Sequence, residues 1–278
     1  MTAFLAAAVI AGTPLLFATL GELITEKSGN LNLGVEGMML MGAVMGFAVG
    51  LWTGNPFLAI LGAVCAGAAG AAIFAFLTVT LRANQVVTGL TLTIFGTGFA
   101  SFVGKGFMGV PAPASVKSVF ATLEIPLLGK IPVIGPMFFQ QDIFIYFGYL
   151  ITVCASVYLW KTKKGLNLKA VGENAAAADA SGINVSLYKY VHTILGGALC
   201  GLGGAYMSLV TIPVWQENVV AGRGWIAVAL VIFASWRPSK ALIGAFLFGG
   251  LNILGYRLQS MGIHISQYLV DMDPYLAT

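Results

Sequence analysis

The chain has 278 residues, of which 58% are hydrophobic and only 9% charged, with 14 Lys and Arg against 10 Asp and Glu. A mean hydropathy of +0.91 excludes a water-soluble domain, whose surface would carry roughly a quarter of its residues as charges. The polypeptide therefore reads as an integral membrane protein. Its three cysteines, Cys65, Cys154 and Cys200, lie inside apolar runs without paired spacing, which suggests packing residues and neither a disulfide framework nor a metal site.

In chain order, the opening "MTAFLAAAVIAGTPLLFATLGELI" lacks the basic lead-in and small-residue cleavage site of a secretory signal and reads as a retained first span, near 3–24. Further apolar runs fall at 33–52, 56–81, 86–104, 142–160, 188–212 and 238–258. Each is close to the roughly 20 residues that a bilayer core of about 30 Å requires. The stretch 219–236 is shorter, free of charge only from Trp225 to Trp236, and Arg223 at its outer end must snorkel or face protein. The tail 264–278 is amphipathic and too short to span alone. The expected fold is all-α, a single polytopic membrane bundle over residues 1–278 with about eight spans.

The connections carry the polarity. If the lysine-rich stretch 161–189 is cytoplasmic, alternation puts Lys27, Arg82, Lys161, Lys163, Lys164, Lys169, Lys189, Arg237 and Lys240 inside, and Lys105, Lys117, Lys130, Arg223 and Arg257 outside. That distribution obeys the positive-inside rule and places the N-terminus outside. It also accounts for a pI near 9 through topology, without nucleic acid as a partner. The external segment 105–141, with Pro111, Pro113, Pro126, Pro132 and Pro136, is expected to be a compact surface loop without helix. Small residues four apart, Gly62, Ala66 and Gly70, then Gly197, Gly201 and Ala205, mark helix faces where backbones approach closely in lipid.

The polar stretch "KKGLNLKAVGENAAAADASGINV", residues 163–185, stands apart. Gly165 and Gly172 punctuate its entry, Asn174 suits a helix cap, 175–180 have high helix propensity, and Gly182 suits a left-handed closing position. The spacing predicts a cytoplasmic helix of about two turns, surfaced by alanine and able to sit close to a groove on another protein.

"LKAVGENAAAADASGINV" resembles the coupling segment of permease subunits in bacterial ABC importers of the ribose, branched-chain amino acid and nucleoside superfamily. The likeness rests on Ala170, Gly172, Asn174, Ala178, Gly182 and Ile183. "ITEKSGNLNLGVEGMMLMGA", residues 24–43, and "AGRGWIAVALVIFASWRPSKALIGAFLFG", residues 221–249, resemble two further segments of the same superfamily. With Asn32 and Glu36 in "LNLGVEG", the chain looks most like the nucleoside-type members. The resemblance implies a type II-like, ribose-permease-like bundle in the bacterial cell membrane. It implies coupling to a separate ATP-binding subunit through Gly172, Glu173, Asn174, Ala178 and Gly182 within a segment 161–187. It further implies a second, related permease chain, an extracellular or lipoprotein substrate-binding protein, ATP and Mg used only by the partner, and another apolar span after a "PYLL"-like end such as "PYLAT".

Residues that touch substrate are less legible. At Gly29 to Gly37, Asn30, Asn32 and Glu36 sit beside glycines. This is either a helix break at membrane depth lining a cavity or a cytoplasmic turn whose Glu36 reaches the interface. Thr93, Thr97 and Ser101 draw a hydroxyl stripe that either lines a passage or bonds to its own helix carbonyls. Asn84 and Gln85 at the inner mouth of that span carry the same two readings. Glu217, Asn218 and Arg223 either meet an external binding protein or pair with one another. His192 and His264 are isolated and receive no role.

No "GxxxxGK[ST]" occurs, so a chain of this kind must borrow its motor. An ion-coupled carrier would keep ionisable residues deep in the membrane, and only Glu22 and Glu36 come near. An enzyme would need a convergent acid, base or nucleophile set, and none is visible. The reading is a non-enzymatic permease subunit for nucleosides, with a simple-sugar permease as the alternative within the class and a secondary transporter outside it.

Overall fold

The computed structural model describes residues 2–126, 128–260 and 272. The helices are α1 (Thr2–Lys27), α2 (Val35–Thr53), α3 (Pro56–Ala75, extended by a π turn Phe76–Thr80), α4 (Gln85–Gly104), α5 (Ala114–Val119), α6 (Ile143–Lys161), α7 (Lys163–Glu173), α8 (Ala175–Ala180), α9 (Val185–Tyr206, extended by a π turn Met207–Thr211), α10 (Arg223–Phe233) and α11 (Pro238–Ser260). Seven of them are long and apolar enough to cross a membrane, and α10 is a shorter apolar helix. All seven expected runs therefore fall in helices of spanning length and hydropathy among the described residues. The tail 264–278, including His264, lies outside the described residues except for Met272.

α9 is the central element, packed against α1, α2 and α3. Its glycines make this possible: a Cβ at Gly197 would press on Ala71 and the Gly67 carbonyl, one at Gly204 on the Met39 carbonyl, and one at Gly196 on Thr25 and the Gly21 carbonyl. The α9 stripe is where its spacing predicts. On α3 the seam is offset: Gly67, with Ala63 and Ala71, meets α9, whereas Gly62 faces Val49 and Gly70 faces Met41 of α2. Two helices compete for the small residues of α3, so the stripe serves both. In lipid such contacts give van der Waals gain where apolar burial offers little.

The segment 105–141, expected to be an external loop without helix, departs from that expectation. It contains α5, and a two-residue antiparallel ladder pairs Leu123 with Gln141 and Glu124 with Gln140. Pro113 stands at the N-cap of α5, where a missing N–H costs nothing, so the prolines punctuate local structure without excluding helix. Ser115 donates to the Gly54 carbonyl at 2.8 Å, tying this segment to the α2–α3 turn.

The turns expected on the cytoplasmic side share the other end of the bundle. Trp236 Nε1 donates to Glu26 Oε2 at 2.6 Å, Lys27 stands over the Trp236 ring, and Lys169 and Arg237 lie over Trp160.

Candidate functional site

The chain between α1 and α2 is largely buried: Ser28, Asn30 and Asn32 are inaccessible, while Leu31 is exposed and borders, with Gly29, an open cavity. Seven residues without helical hydrogen bonds cannot be left unsatisfied at that depth, and neighbouring elements supply the partners. Asn32 N–H donates to Glu22 Oε1 at 2.8 Å, Asn32 Oδ1 accepts from Gly34 N–H, and Asn30 Nδ2 donates to Thr193 Oγ1 at 3.0 Å. From α4, Gln85 Oε1 accepts from Leu31 N–H at 2.8 Å and Thr93 Oγ1 donates to the Leu33 carbonyl at 3.0 Å. The turn needs Gly29, whose φ of +82° belongs to the left-handed region.

Glu36, in the first turn of α2, is 5% exposed and reaches neither the interface nor open space. Its carboxylate accepts Gly222 N–H at 2.8 Å and Gly224 N–H at 2.6 Å, the free donors at the start of α10. Both glycines are needed for the approach: Gly222 has φ +83°, and a Cβ on Gly224 would lie 2.5 Å from Glu36 Cα. The arrangement places a negative charge on the positive end of a helix dipole. Arg223, half-buried, adds electrostatic attraction to the same carboxylate and donates to the Val220 carbonyl at 3.0 Å. Of its two expected states, it faces protein.

The depth of this junction follows from helix rise. Gly37 packs on Gly96, eleven residues into α4, which is about 16 Å at 1.5 Å per residue. From the other direction α10 has 11 residues and ends close to Trp236, which sits with Glu26 and Lys27 at the end of α1. Both measures put Glu36 near the middle of a core about 30 Å thick. Two interrupted elements thus meet, N-terminus to N-terminus, at mid-membrane.

The remaining candidates separate. Asn84 caps α4, its Oδ1 accepting from Val87 N–H. Thr97 bonds to the Thr93 carbonyl of its own helix and Ser101 is half-buried, so the hydroxyl stripe is not one functional row. Glu217 and Asn218 are exposed on the stretch that descends from Trp215, which exchanges backbone hydrogen bonds with Gly109 and Val110, to Gly222.

In the polar segment, Asn174 caps α8, its Oδ1 accepting from Ala177 N–H at 3.0 Å, and Gly182 takes φ +82°, as the spacing predicts. The helix is shorter than expected, six residues. Its entry is itself a helix, α7, with Gly165 and Gly172 inside it. These glycines serve close packing instead of punctuation: a Cβ on Gly165 would strike the Tyr158 carbonyl, and one on Gly172 the Lys27 carbonyl, with Gly29 N at 3.3 Å. α7 therefore rests directly on the α1–α2 turn. Ala178 is turned inward and buried, so the free face of α8 carries Ala176, Ala177, Asp179 and Ala180. A cavity of about 370 Å³, bordered by Glu26, Lys27, Gln85, Lys169, Glu173 and Trp236, opens beside this junction.

Sequence reasoning missed Gly222, Gly224 and Thr193, and noted Glu22 only as an acid near the apolar core. A signal existed for the first two: glycines opening a short apolar helix leave bare N–H donors, and a buried acid elsewhere in the chain needs them.

The structure is thus a multi-span bundle with a short apolar helix meeting α2 at Glu36 and a polar helical segment seated on the α1–α2 turn. Residues 4–271 match the family described as branched-chain amino acid transport system / permease component, and the chain belongs to that family. It is a multi-pass permease subunit of an ABC transporter in the cell membrane and is not itself an enzyme. TsgC13 of Haloferax volcanii, provisionally named for glucose ABC transport as a permease, is 43% identical over 261 residues, covering 92% of this chain and 78% of that protein. The nucleoside ABC transporter permease protein NupC of Lactococcus lactis is 33% identical over 280 residues, covering 97% and 88%. The guanosine ABC transporter permease protein NupQ of Bacillus subtilis is 32% identical over 286 residues, covering 98% and 88%.

Proposed function

We propose that this chain is one membrane-spanning half of an ATP-driven importer of nucleosides. The observation that carries the mechanism is the train of contacts from α7 through Gly172 to Gly29, along the buried turn 28–34, to Glu36 and the start of α10. A separate ATP-binding subunit, seated on the free face of α8 with Glu173 and Asn174 at its edge, pushes on α7. The push reaches the two interrupted elements at mid-membrane, which is a bistable arrangement of the kind that alternates access. ATP and Mg act in that partner alone.

The path runs between this chain and a second, related permease. Glu217 and Asn218 on the descending stretch that leads to Gly222, and Thr97, one residue from the Gly96 that packs on Gly37, supply exposed polar groups to the solute. An external substrate-binding protein delivers the solute at the outer mouth. Nucleosides are favoured by two relatives named for nucleoside and guanosine transport at 33% and 32% identity.

A simple-sugar solute is the second reading, favoured by the 43% identity to TsgC13. Ribose and hexoses share the hydroxyl pattern such a path would hydrogen-bond. Uptake of radiolabelled guanosine, ribose and glucose in cells with and without this chain separates them. Loss of guanosine uptake alone is expected, and undiminished guanosine uptake with lost sugar uptake reverses the choice.

A further inference from the structure

α6 and α9 both lean on α1 and leave between them a lateral groove of about 660 Å³. Its floor is Ile24 of α1, and its walls include Ile151 and Ala155 on one side and Val191 and Leu195 on the other. The flanking Val153, Val157 and Leu195 are exposed within segments that cross the membrane, so the open side faces hydrocarbon. We infer that the groove is a binding site for an anionic phospholipid of the cytoplasmic leaflet, with one acyl chain between α6 and α9 and the headgroup phosphate at Lys164.

Three observations select this occupant. The first is length: lining residues on α9 run from Leu187 to Leu199, about 18 Å at 1.5 Å per residue, which is close to one leaflet of a core about 30 Å thick. The second is the state of the polar atoms on the wall. His192 Nδ1 lies 2.7 Å from the Tyr188 carbonyl, which can only accept, so this nitrogen carries the proton. Nε2 then accepts from the Tyr158 hydroxyl at 2.7 Å, and Asn167 Nδ2 donates to the Tyr188 hydroxyl at 3.2 Å. These polar atoms have partners within the protein, which leaves a wall that suits a hydrocarbon chain and not a hydroxylated solute. The third is charge: Lys164 borders the cytoplasmic end, beside Lys161 and Lys163 in sequence, and makes no ion pair among the described residues. Juxtamembrane lysines attract anionic headgroups.

Two cysteines provide the assay. Cys154 borders the groove and is exposed, Cys65 is exposed on α3, and Cys200 is buried. The full chain is labelled with bimane at Cys154 in a Cys65→Ser background, or at Cys65 in a Cys154→Ser background. It is then placed in vesicles containing either brominated phosphatidylglycerol or brominated phosphatidylcholine with the same acyl chains. At Cys154, phosphatidylglycerol should show about a fivefold higher apparent affinity, the ratio that one engaged lysine supplies. At Cys65 the two lipids should quench alike. Lys164→Gln should bring the Cys154 ratio to about one while quenching itself persists. Equal quenching by both lipids at Cys154, or a preference unmoved by Lys164→Gln, overturns the inference. So does an absence of quenching by either lipid at Cys154, since another part of the protein would then fill the groove.

Discussion

Glu36→Gln tests the mid-membrane junction directly. The carboxylate accepts two backbone N–H groups, from Gly222 and Gly224. A glutamine amide has one acceptor oxygen, so the second N–H would face an NH2 group and remain unsatisfied in a site that is 5% exposed. A hydrogen bond to a charged group contributes about 1.5–3 kcal/mol, and stranding its partner adds to the loss, so the expected destabilisation is about 2–4 kcal/mol. At about 2–4 °C per kcal/mol for a chain of this size, the apparent Tm should fall by about 5–15 °C. The assay is thermal unfolding of the detergent-purified protein, followed by intrinsic fluorescence.

Gly224→Ala provides the internal control, because its Cβ would collide with the Glu36 backbone and break the same contact from the other side. The double variant should be destabilised scarcely more than the worse single one, whereas independent sites would add to within about 0.5 kcal/mol. A Glu36→Gln protein melting within about 1 °C of wild type would refute the reasoning. Additive single variants would show that Glu36 and Gly224 act separately.

Gly172→Ala should lower ATP-dependent uptake while leaving membrane insertion and capture of the ATP-binding subunit intact, because a methyl group there runs into the Lys27 carbonyl and lifts α7 off the turn at Gly29. Unchanged uptake in proteoliposomes would remove Gly172 from the train of contacts. At Gly182 no neighbouring atom lies within reach of an added Cβ and only the φ of +82° matters. Gly182→Val should therefore strain the α8 exit by about 1–3 kcal/mol and impair coupling, while Gly182→Asn, which tolerates that region, should retain most of the uptake. Equal uptake by the two variants would show that backbone conformation at this position is not what couples.

The spans were legible because a bilayer demands long uninterrupted apolar runs, a constraint written locally in sequence. Asn174 and Gly182 were legible for a similar reason, since caps act over three or four residues. Glu36 was noticed but its partner was not, because Gly222 and Gly224 lie far along the chain and glycine advertises nothing about what approaches it. Gly172 looked like punctuation because the sequence does not reveal that the Lys27 carbonyl occupies the place of its side chain. The hydroxyl stripe on α4 dissolved for a related reason: Thr93 finds a carbonyl on another element while Thr97 finds one on its own helix, and equal spacing does not distinguish them.

The glycine seams of α9 also limit how the molecule can move. Wherever backbone lies against backbone, as at Gly196 with Gly21, Gly197 with Gly67 and Gly204 with Met39, one helix cannot slide or roll past another without collision. α1, α2, α3 and α9 must then travel as a single block. Flexing is left to the more lightly packed α6, and a spin label there should report larger excursions through the ATP cycle than one on α9.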